Sequence, residues 1–434
     1  MDSQSRQLLC AGDLHLGRHP TRIPDRLDGP TFSPREVWQD ITQEAIERDV
    51  DAVVLSGDIA DRENQYFEAY GAFETGVIEL DEAGIPVIVV AGNHDSEFLP
   101  RMVEDIGRDN LHLLGADGTW ERWTLEEDGS PAVHFDGWSF PRQHVPTSPL
   151  DSYDLPEADD APRVGVLHAD LDSPRSQHAP VAPSELEKSG VACWLLGHIH
   201  VPRIRIEGNP LALYPGSPQA LDPGERGAHG PWLVELNSDG TVTPEQIPLG
   251  TVCYDEVAVD MSTVEDLQGA GAAISTAIQQ FVQEDVATQS LSAFLPRVKL
   301  TGRTAAHAEL VNGQNRLEDQ LASKHGSVDI EIEAVSVDTR PDVDLEARAD
   351  EDGPVGYLAE LLLRLDDGDA SGEYSHLVDE AHGALQQAQS AEAYNLLQQE
   401  SELTTPERAE AVAVLQQEAR VLLDTLLQQK EGRQ

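Results

Sequence analysis

The chain has 434 residues, of which 39% are hydrophobic, and its 79 acidic and 29 basic residues give a formal net charge of −50. This length and apolar content exclude a disordered chain and allow more than one domain. The excess of acidic residues has two explanations: the protein has no polyanionic partner, or it is a halophilic protein adapted to a salty cytoplasm. We favour the second, because acidic residues occur in every segment of the chain.

The first half of the chain alternates strand-like runs with helical patterns in the β-α-β-α-β order of an α/β layer. The strands are predicted at 7–13, 51–58 and 86–95, and the helices at 36–49 and 64–84. Closely spaced strand-like runs follow, from HLLG at 112–115 to GTVTPEQIPL at 240–249, and they predict a second, more antiparallel sheet. We therefore expect a two-sheet α/β sandwich in a first domain that spans 1–250.

A second α/β pattern and a helical region follow. Residues 255–339 alternate between strand and helix patterns and predict a small α/β cap domain, with Ser262 or Thr263 as the N-cap of its first helix. The region 340–434 is predicted to be helical, and its last helix is predicted to begin at 405–407, where a proline stands at the first helical position.

The last helix carries an apolar stripe with steps of three and four residues. Its members are Val412, Leu415, Ala419, Leu422 and Leu426. Such a stripe either packs on its own domain or enters the groove of a partner protein, and the pattern alone leaves both readings open.

The three cysteines and the N-terminus indicate the compartment. Cys10, Cys193 and Cys253 lie in or beside apolar runs without metal-ligand spacing, which predicts buried, reduced thiols. The N-terminal MDSQSRQLLCAGD has no apolar signal-peptide core, and no run approaches the ~20 apolar residues of a membrane span. We therefore expect a soluble, cytoplasmic protein.

Polar side chains follow predicted strands in five separate places. They are Asp13 and His15, then Asp58, Asp61 and Arg62, then Asn93, His94 and Asp95, then His168, and finally His198 and His200. Functional groups of α/β sheets collect where strands end. Each element alone is weak evidence, because a lone histidine is usually structural. Together they predict one shared site.

The pair in GHIH is the most informative of these elements. Burying an imidazole without a partner costs free energy. Residues two apart on an extended chain point to the same side, so His198 and His200 can reach one place. The pair is therefore either a coincidence of a strand edge or half of a metal site, and the rest of the chain decides between them.

The series D-x-H, GD-x-x-D, GNHD, H and GH-x-H, from residue 8 to about 200, resembles the calcineurin-like metallophosphoesterase superfamily. Downstream, LALYPGSPQALDPGE at 211–225 resembles the SbcD-type exonuclease subunits of DNA repair. The resemblance implies phosphodiester hydrolysis with two divalent ions, and Mn²⁺ suits a mixed set of carboxylate, amide and imidazole donors. It also implies DNA as substrate, a cap domain over the site, and a helical C-terminal region that docks on a coiled-coil ATPase of the SbcC type.

The resemblance implies a set of seven metal ligands. Asp58 would bridge the two ions. The remaining ligands would be Asp13, His15 and His200 for the first ion, and Asn93, His168 and His198 for the second. GHIH would then give one histidine to each ion.

His94 is expected to face the substrate and not to bind metal. It would bind the scissile phosphate or protonate the leaving oxygen, with Asp61 as its orienting carboxylate. Arg62 resembles the phosphate-binding arginine of the protein-phosphatase branch, which is a departure from the nuclease pattern. His144, His178 and His229 have no motif around them and are left unassigned.

Three functions are weighed. A DNA nuclease with an ATPase partner, and with a homodimer contact through the helix at 64–82, is favoured by YPGSPQ and by the appended regions. A phosphoesterase for a small nucleotide or a phosphoprotein is favoured by Arg62 and by the acidic charge. A scaffold without metals is disfavoured, because all seven expected ligands and His94 are present.

Overall fold

The computed structural model describes residues 5–24, 27, 32–61, 66–156, 161–237, 240–284, 290–320, 323–368, 372, 374–389 and 408–431. The chain divides into two compact units. The first comprises the described residues of Met1–Asp260, Leu267–Leu300 and Asn312–Val337, and the second those of Met261–Asp266, Thr301–Val311 and Asp338–Gln434.

The first unit contains a six-stranded sheet in its described residues. In sheet order the strands are β14 (Val242–Gln246), β13 (Trp232–Leu236), β1 (Arg6–Ala11), β2 (Ala52–Leu55), β3 (Val87–Val89) and β4 (Leu111–Leu113). Strands β1 to β4 pair in parallel, whereas β13 and β14 add antiparallel strands at one edge. The connecting helices are α1 (Pro34–Arg48), α2 (Tyr66–Glu82) and α3 (Leu99–Ile106).

A second six-stranded sheet lies in the same unit. Its strands, in sheet order, are β11 (Arg203–Ile206), β12 (Leu211–Tyr214), β10 (Cys193–Gly197), β7 (Arg163–His168), β6 (Ser130–Trp138) and β5 (Glu121–Glu127). The four central strands are parallel, and only the edge strands β5 and β11 pair antiparallel. The expectation of a more antiparallel second sheet is therefore wrong. The connections before β7 and before β10 are long enough for parallel crossovers. Their described residues, 139–156, 161–162 and 169–192, contain little helix, and the second connection includes β8 (Asp170–Leu171), β9 (Pro180–Val181) and the short helix α4 (Pro183–Lys188).

The two sheets pack face to face, and the alternation of side chains in β1 shows how. Leu8 and Cys10 belong to the core between the sheets, whereas Leu9 and Ala11 belong to the core under the helices. Strands buried on both faces read as continuous apolar runs, as in a parallel α/β layer. The predicted two-sheet α/β sandwich is confirmed.

The three cysteines are buried and unpaired. Cys10 and Cys193 lie in the core between the sheets. Burial raises the pKa of Cys193 and of Cys253 to about 12, and that of Cys10 well above its usual range. These thiols are therefore protonated and poor metal ligands.

A smaller sheet follows in the chain. Its strands, in sheet order, are β15 (Val252–Asp260), β16 (Ala293–Thr301), β19 (Val328–Ile330) and β18 (Ser323–His325), and β20 (Ala334–Val337) also pairs with β16. The accompanying helices are α5 (Leu267–Glu284) and α6 (His307–Gln320). Because α5 begins at Leu267, the predicted N-caps Ser262 and Thr263 are wrong.

The second unit is mainly helical. Its elements are β17 (Arg303–Thr304), β21 (Arg340–Pro341), α7 (Leu345–Ala349), α8 (Pro354–Asp366), α9 (Ser375–Gln389) and the C-terminal helix Arg408–Glu431. The predicted start of that helix at 405–407 lies outside the described residues. Within the helix, Ala419 and Leu423 are buried against α8 and α9, whereas Leu422 is 51% exposed. Most of the predicted stripe thus packs on its own unit.

Among the described helices, none combines the length and the apolar character needed to cross a membrane.

Candidate metal centre

The carboxyl ends of both sheets supply the predicted site residues. Asp13 and His15 follow β1, Asp58 follows β2, and Asn93 follows β3 in the first sheet. His168 ends β7, and His198 and His200 follow β10 in the second sheet. Because these strands run in parallel within each sheet, their ends meet at one edge of the sandwich.

Two groups of side chains have ligand atoms close enough to share an ion. Asp13, His15 and His200 form one group, and Asp13, Asp58 and His168 form the other, with ligand atoms within 4.8 Å of one another in each group. Nε2 of His15 lies 3.0 Å from Nε2 of His200. Asp58 lies between the groups, since its Oδ2 is 3.4 Å from Nε2 of His168 and 4.0 Å from Nε2 of His15.

The other two predicted ligands lie beside the second group. Oδ1 of Asn93 is 2.9 Å from Nε2 of His168. The ring of His198 has its centroid 5.4 Å from that of His168, whereas the ring of His200 lies 4.7 Å from that of His15. The two histidines of GHIH thus point to different groups, and the positive φ of 98° at His198 provides the turn between them.

Backbone strain is concentrated at these residues. Asp13, His15 and Asp58 have φ values of 49°, 45° and 52°, in the left-handed region that residues with a side chain rarely adopt. Backbone hydrogen bonds hold them there, from the Asp13 N–H to the Gly57 carbonyl and from the His15 N–H to the Asp58 carbonyl, both 3.0 Å long. Strain of this kind persists only where the surrounding structure enforces it, and it is typical of functional sites.

The glycines of the motifs make room for the ligands. A Cβ atom at Gly92 would lie 2.1 Å from Oδ1 of Asp58, and one at Gly197 would lie 2.5 Å from Nδ1 of His168. Any side chain at either position would therefore displace a candidate ligand. This explains why a glycine immediately precedes Asn93 and His198 at these strand ends.

The outer nitrogens of two histidines are committed to acceptors that orient the rings. Nδ1 of His168 lies 3.1 Å from the Ser56 carbonyl, and Nδ1 of His200 lies 2.7 Å from Oε1 of Glu225. Donation from Nδ1 leaves the lone pair of each Nε2 directed into the site, as in metal-binding histidines.

Backbone N–H groups hold the carboxylates. Asp13 accepts from the His198 N–H at 3.0 Å, and Asp58 accepts from the His94 N–H at 2.9 Å. The buried Asp95 accepts from the N–H groups of Ile59 and Gly92, each at 2.7 Å, and so ties the β2 and β3 ends together. Asp95 therefore has a structural role.

These residues fit a pair of divalent cations. Asp13, Asp58, His15 and His168 are all nearly inaccessible to solvent. Buried carboxylates are costly without a counter-charge, and Nε2 of His15 and Nε2 of His200 converge to 3.0 Å beside them. The carboxylate, amide and imidazole donors, without a thiolate, suit hard or borderline ions.

His94 and Asp61 form a second feature beside these ligands. Nδ1 of His94 lies 2.7 Å from Oδ1 of Asp61, and the His94 side chain is 44% exposed, so that a substrate can reach it. The hydrogen bond that His94 donates to Asp61 raises the pKa of His94 despite partial burial. Burial alone would raise the pKa of Asp61, but His15 and His94 together hold it far below its usual range.

Two family models match separate parts of the chain. Residues 7–202 match the model of the calcineurin-like phosphoesterase family. Residues 7–202 are a calcineurin-like metallophosphoesterase domain. Residues 254–340 match a second model, described as the middle domain of the metallophosphoesterase YhaO. The superfamily assignment is thus confirmed, whereas the SbcD type is not settled by these matches.

The curated relatives include an uncharacterized metallophosphoesterase and DNA double-strand break repair proteins. The chain is 29% identical over 288 residues to the uncharacterized metallophosphoesterase YhaO of Bacillus subtilis, which covers 63% of this chain and 66% of that protein. It is 28% identical to the DNA double-strand break repair protein Mre11 of Haloferax volcanii, over 60% of this chain and 56% of that protein. For Mre11 of Halobacterium salinarum the identity is 28%, over 82% of this chain and 86% of that protein. The chain thus spans less than two thirds of the first two of these relatives.

Two solved structures align with the chain at low sequence identity. The calcineurin-like phosphoesterase YfkN from Bacillus subtilis aligns with a TM-score of 0.36 and 14% identity, over 65% of this chain and 97% of that chain. A dimetal phosphatase from Danio rerio aligns with a TM-score of 0.34 and 14% identity, over 56% of this chain and 98% of that chain.

Two residues that contact the candidate site were missed in the sequence. Glu225 orients His200, and Nε of Arg18 lies 3.2 Å from Oδ2 of Asp61. Arg18 stands three residues after His15 in GDLHLGR, so its closeness to the motif could have marked it as a site residue. Glu225 is one of 79 acidic residues, and its residue type alone did not mark it. The predicted Arg62 lies outside the described residues.

Glu225→Gln is expected to reduce the number of protons released when the centre binds metal. Burial lowers the pKa of His200, but the hydrogen bond to Glu225 and the charge of Asp13 raise it to about 9. At pH 7.5 the metal-free His200 therefore carries a proton that must leave before Nε2 can bind an ion, and affinity falls as pH drops below about 9. Glutamine removes the charge that holds this proton.

Calorimetric titration with Mn²⁺ in two buffers of different ionisation enthalpy counts these protons. Wild-type protein should release about one proton from His200 at pH 7.5, and Glu225→Gln clearly fewer. The exposed Glu245 on β14 provides the control Glu245→Gln, which should match wild type. Equal proton release in Glu225→Gln and wild type would contradict the assigned role of Glu225.

Proposed function

We propose that this protein is a dinuclear-metal phosphodiester hydrolase that acts on DNA in repair. The observation that carries the proposal is the convergence of all seven candidate ligands at one edge of the sandwich, next to the exposed His94–Asp61 pair. Two curated Mre11 relatives, from Haloferax volcanii and Halobacterium salinarum and named for DNA double-strand break repair, support DNA as the substrate.

The candidate ligands divide into two sets. Asp13, His15 and His200 would hold one ion, and Asn93, His168 and His198 the other, with Asp58 between them. When bound, two divalent ions neutralise phosphate oxygens and lower the pKa of a bound water. Mn²⁺ is the ion that we propose, because it accepts this mixed donor set.

His94 is the group of this chain that would handle a proton. Its Nδ1–H donates to Asp61, so that Nε2 faces outward, and in the protonated ring Nε2–H is a donor to the scissile phosphate or to the leaving oxygen. The hydrogen bond to Asp61 raises the pKa of His94, so that this proton persists to higher pH than on an ordinary histidine. Arg18 holds Asp61 from the other side, at 3.2 Å. A phosphate-binding role of Arg62 stays a prediction.

The regions beyond the sandwich suggest a nuclease complex. We propose that 255–339 caps the site, and that the helical region 340–434 docks on a coiled-coil ATPase that supplies the basic DNA-binding surface missing here. A homodimer through α2 is part of the same proposal. Its apolar residues Phe73, Val77 and Leu80 lie in the core, however, and leave the opposite face for any such contact.

A phosphoesterase for small nucleotides or phosphoproteins is the second candidate. The net charge of −50 opposes contact with a polyanion, and the His94–Asp61 pair serves any phosphate ester equally well. This candidate predicts hydrolysis of small esters only, with or without a partner.

Hydrolysis of two substrates side by side separates the candidates. The purified protein in Mn²⁺ and high salt is given bis-p-nitrophenyl phosphate and end-labelled linear duplex DNA, and His94→Ala is the control. Cleavage of both substrates, lost in the variant, supports the nuclease. Cleavage of the small ester alone, unchanged when a coiled-coil ATPase subunit is added, would overturn the DNA proposal.

Adaptation to high salt is proposed from the same acidic surface. Repulsion among 79 acidic residues is screened within ~3 Å at 1 M salt but only within ~10 Å at 0.1 M. The unfolding temperature should therefore rise by at least several degrees between 0.1 M and 2 M KCl, as measured by circular dichroism. A protein that is equally stable and active in dilute buffer would contradict this expectation.

A further inference from the structure

Three imidazole rings form a row that leaves the candidate metal centre. The ring centroids of His198 and His178 are 4.9 Å apart, and those of His178 and His144 are 5.5 Å apart. His198 and His178 are partly buried, and His144 is exposed. The row therefore runs from a candidate metal ligand to the solvent.

The backbone clamps His178 in this position. It forms a strand-like bridge with Val145, and its carbonyl accepts a hydrogen bond from the Asp170 N–H at 3.1 Å. The following Ala179 is fully buried and has a φ of 48°, in the left-handed region. A non-glycine residue adopts this conformation only under constraint, so the position of the His178 ring is enforced by the fold.

The ring nitrogens in this row are available to a ligand. In the described part of the chain, the hydrogen bonds of His178 and His144 involve their backbone atoms. A neutral imidazole always keeps one N–H donor, so each ring can donate to an anionic oxygen without being protonated. Neither histidine belongs to the seven candidate ligands.

We propose that His178, assisted by His144, binds a second phosphate of the substrate, one nucleotide away from the scissile phosphate. This inference rests on the proposed phosphodiester hydrolase and names the substrate as a chain of at least two phosphates. The scissile phosphate lies at the His198 end of the row, and the chain continues past the other two rings.

Calorimetric titration of the Mn²⁺-loaded protein tests this inference with two probes that differ by one phosphate, thymidine 5′-monophosphate and thymidine 3′,5′-bisphosphate. His178→Ala should weaken binding of the bisphosphate roughly tenfold, the loss expected for one hydrogen bond to a charged group, and binding of the monophosphate less than about twofold. His144→Ala should have a smaller effect of the same kind. His112→Ala, on the edge strand β4 with its ring stacked on Trp123, is the matched control.

Three results would overturn the inference. Equal weakening of both probes would show that His178 acts through His198. Unchanged binding of both would show that it contacts no phosphate. Loss of Mn²⁺ from His178→Ala would place it among the metal ligands. Hydrolysis of bis-p-nitrophenyl phosphate by the wild-type protein is measured separately, so that failure of the proposed function is distinguished from failure of this inference.

Discussion

Replacement of His94 by alanine is expected to lower kcat for bis-p-nitrophenyl phosphate by about 10²–10⁴-fold, the usual contribution of a positioned general acid. Both metal ions should stay bound, because His94 is 44% exposed and its Nδ1 is directed at Asp61. Steady-state kinetics and metal analysis of the same preparation check the two parts. Loss of metal from His94→Ala would show that His94 is a ligand.

Asp61→Asn is the companion variant, and it is expected to change the pH profile. The Asp61 hydrogen bond raises the pKa of His94, so the protonated form persists to higher pH than in an ordinary histidine. Activity that needs this proton is lost as pH rises through the raised pKa. Asparagine lacks the negative charge that raises the pKa of His94. In the plot of kcat against pH, the fall in activity at alkaline pH should therefore move to lower pH. An unchanged limb would show that another group donates the proton.

Replacement of Asp58 by alanine is expected to abolish hydrolysis and to impair both metal sites together. Its Oδ2 lies 3.4 Å from Nε2 of His168 and 4.0 Å from Nε2 of His15, one from each group of ligands. Loss of groups that only orient metal ligands costs about 10–100-fold in affinity, and a carboxylate between two ions is expected to cost more. Mn²⁺ titration of the variant measures the loss.

Asp58→Asn is the control for folding in that experiment. The amide keeps an oxygen that can accept the His94 N–H, now 2.9 Å from Oδ1, but it removes the negative charge. It should therefore fold like wild type and still bind metal weakly. Loss of one ion only, with the other at wild-type affinity, would contradict the position of Asp58 between the two.

Much of the candidate centre could be predicted from local sequence signals. Each apolar run that ends in glycine and a polar residue marks a strand end, and parallel strands bring such ends to one edge. The structure accordingly places Asp13, Asp58 and His168 in one group. GHIH was informative for the same reason, although the sequence could not show the φ of 98° at His198 that separates the two rings.

The remaining features depend on contacts between distant segments. Glu225 meets His200 across 25 positions, and although Glu225 ends the tract LALYPGSPQALDPGE, the tract does not show which residue Glu225 contacts. The second sheet was expected to be more antiparallel because its strands follow closely, but its strands are joined by long crossovers that contain little helix in their described residues, 139–156, 161–162 and 169–192. The N-cap of α5 was also predicted wrongly. Ser262 and Thr263 are good N-cap residues, but they lie in a turn after β15, and α5 begins only at Leu267.

The number of Mn²⁺ ions bound per chain tests the central claim most directly. Metal analysis and titration of the wild-type protein at pH 8 and high salt should give two ions per chain, held by the seven candidate ligands. One ion, or none, would contradict the assignment of the strand ends as a dinuclear centre, whatever substrate the protein hydrolyses.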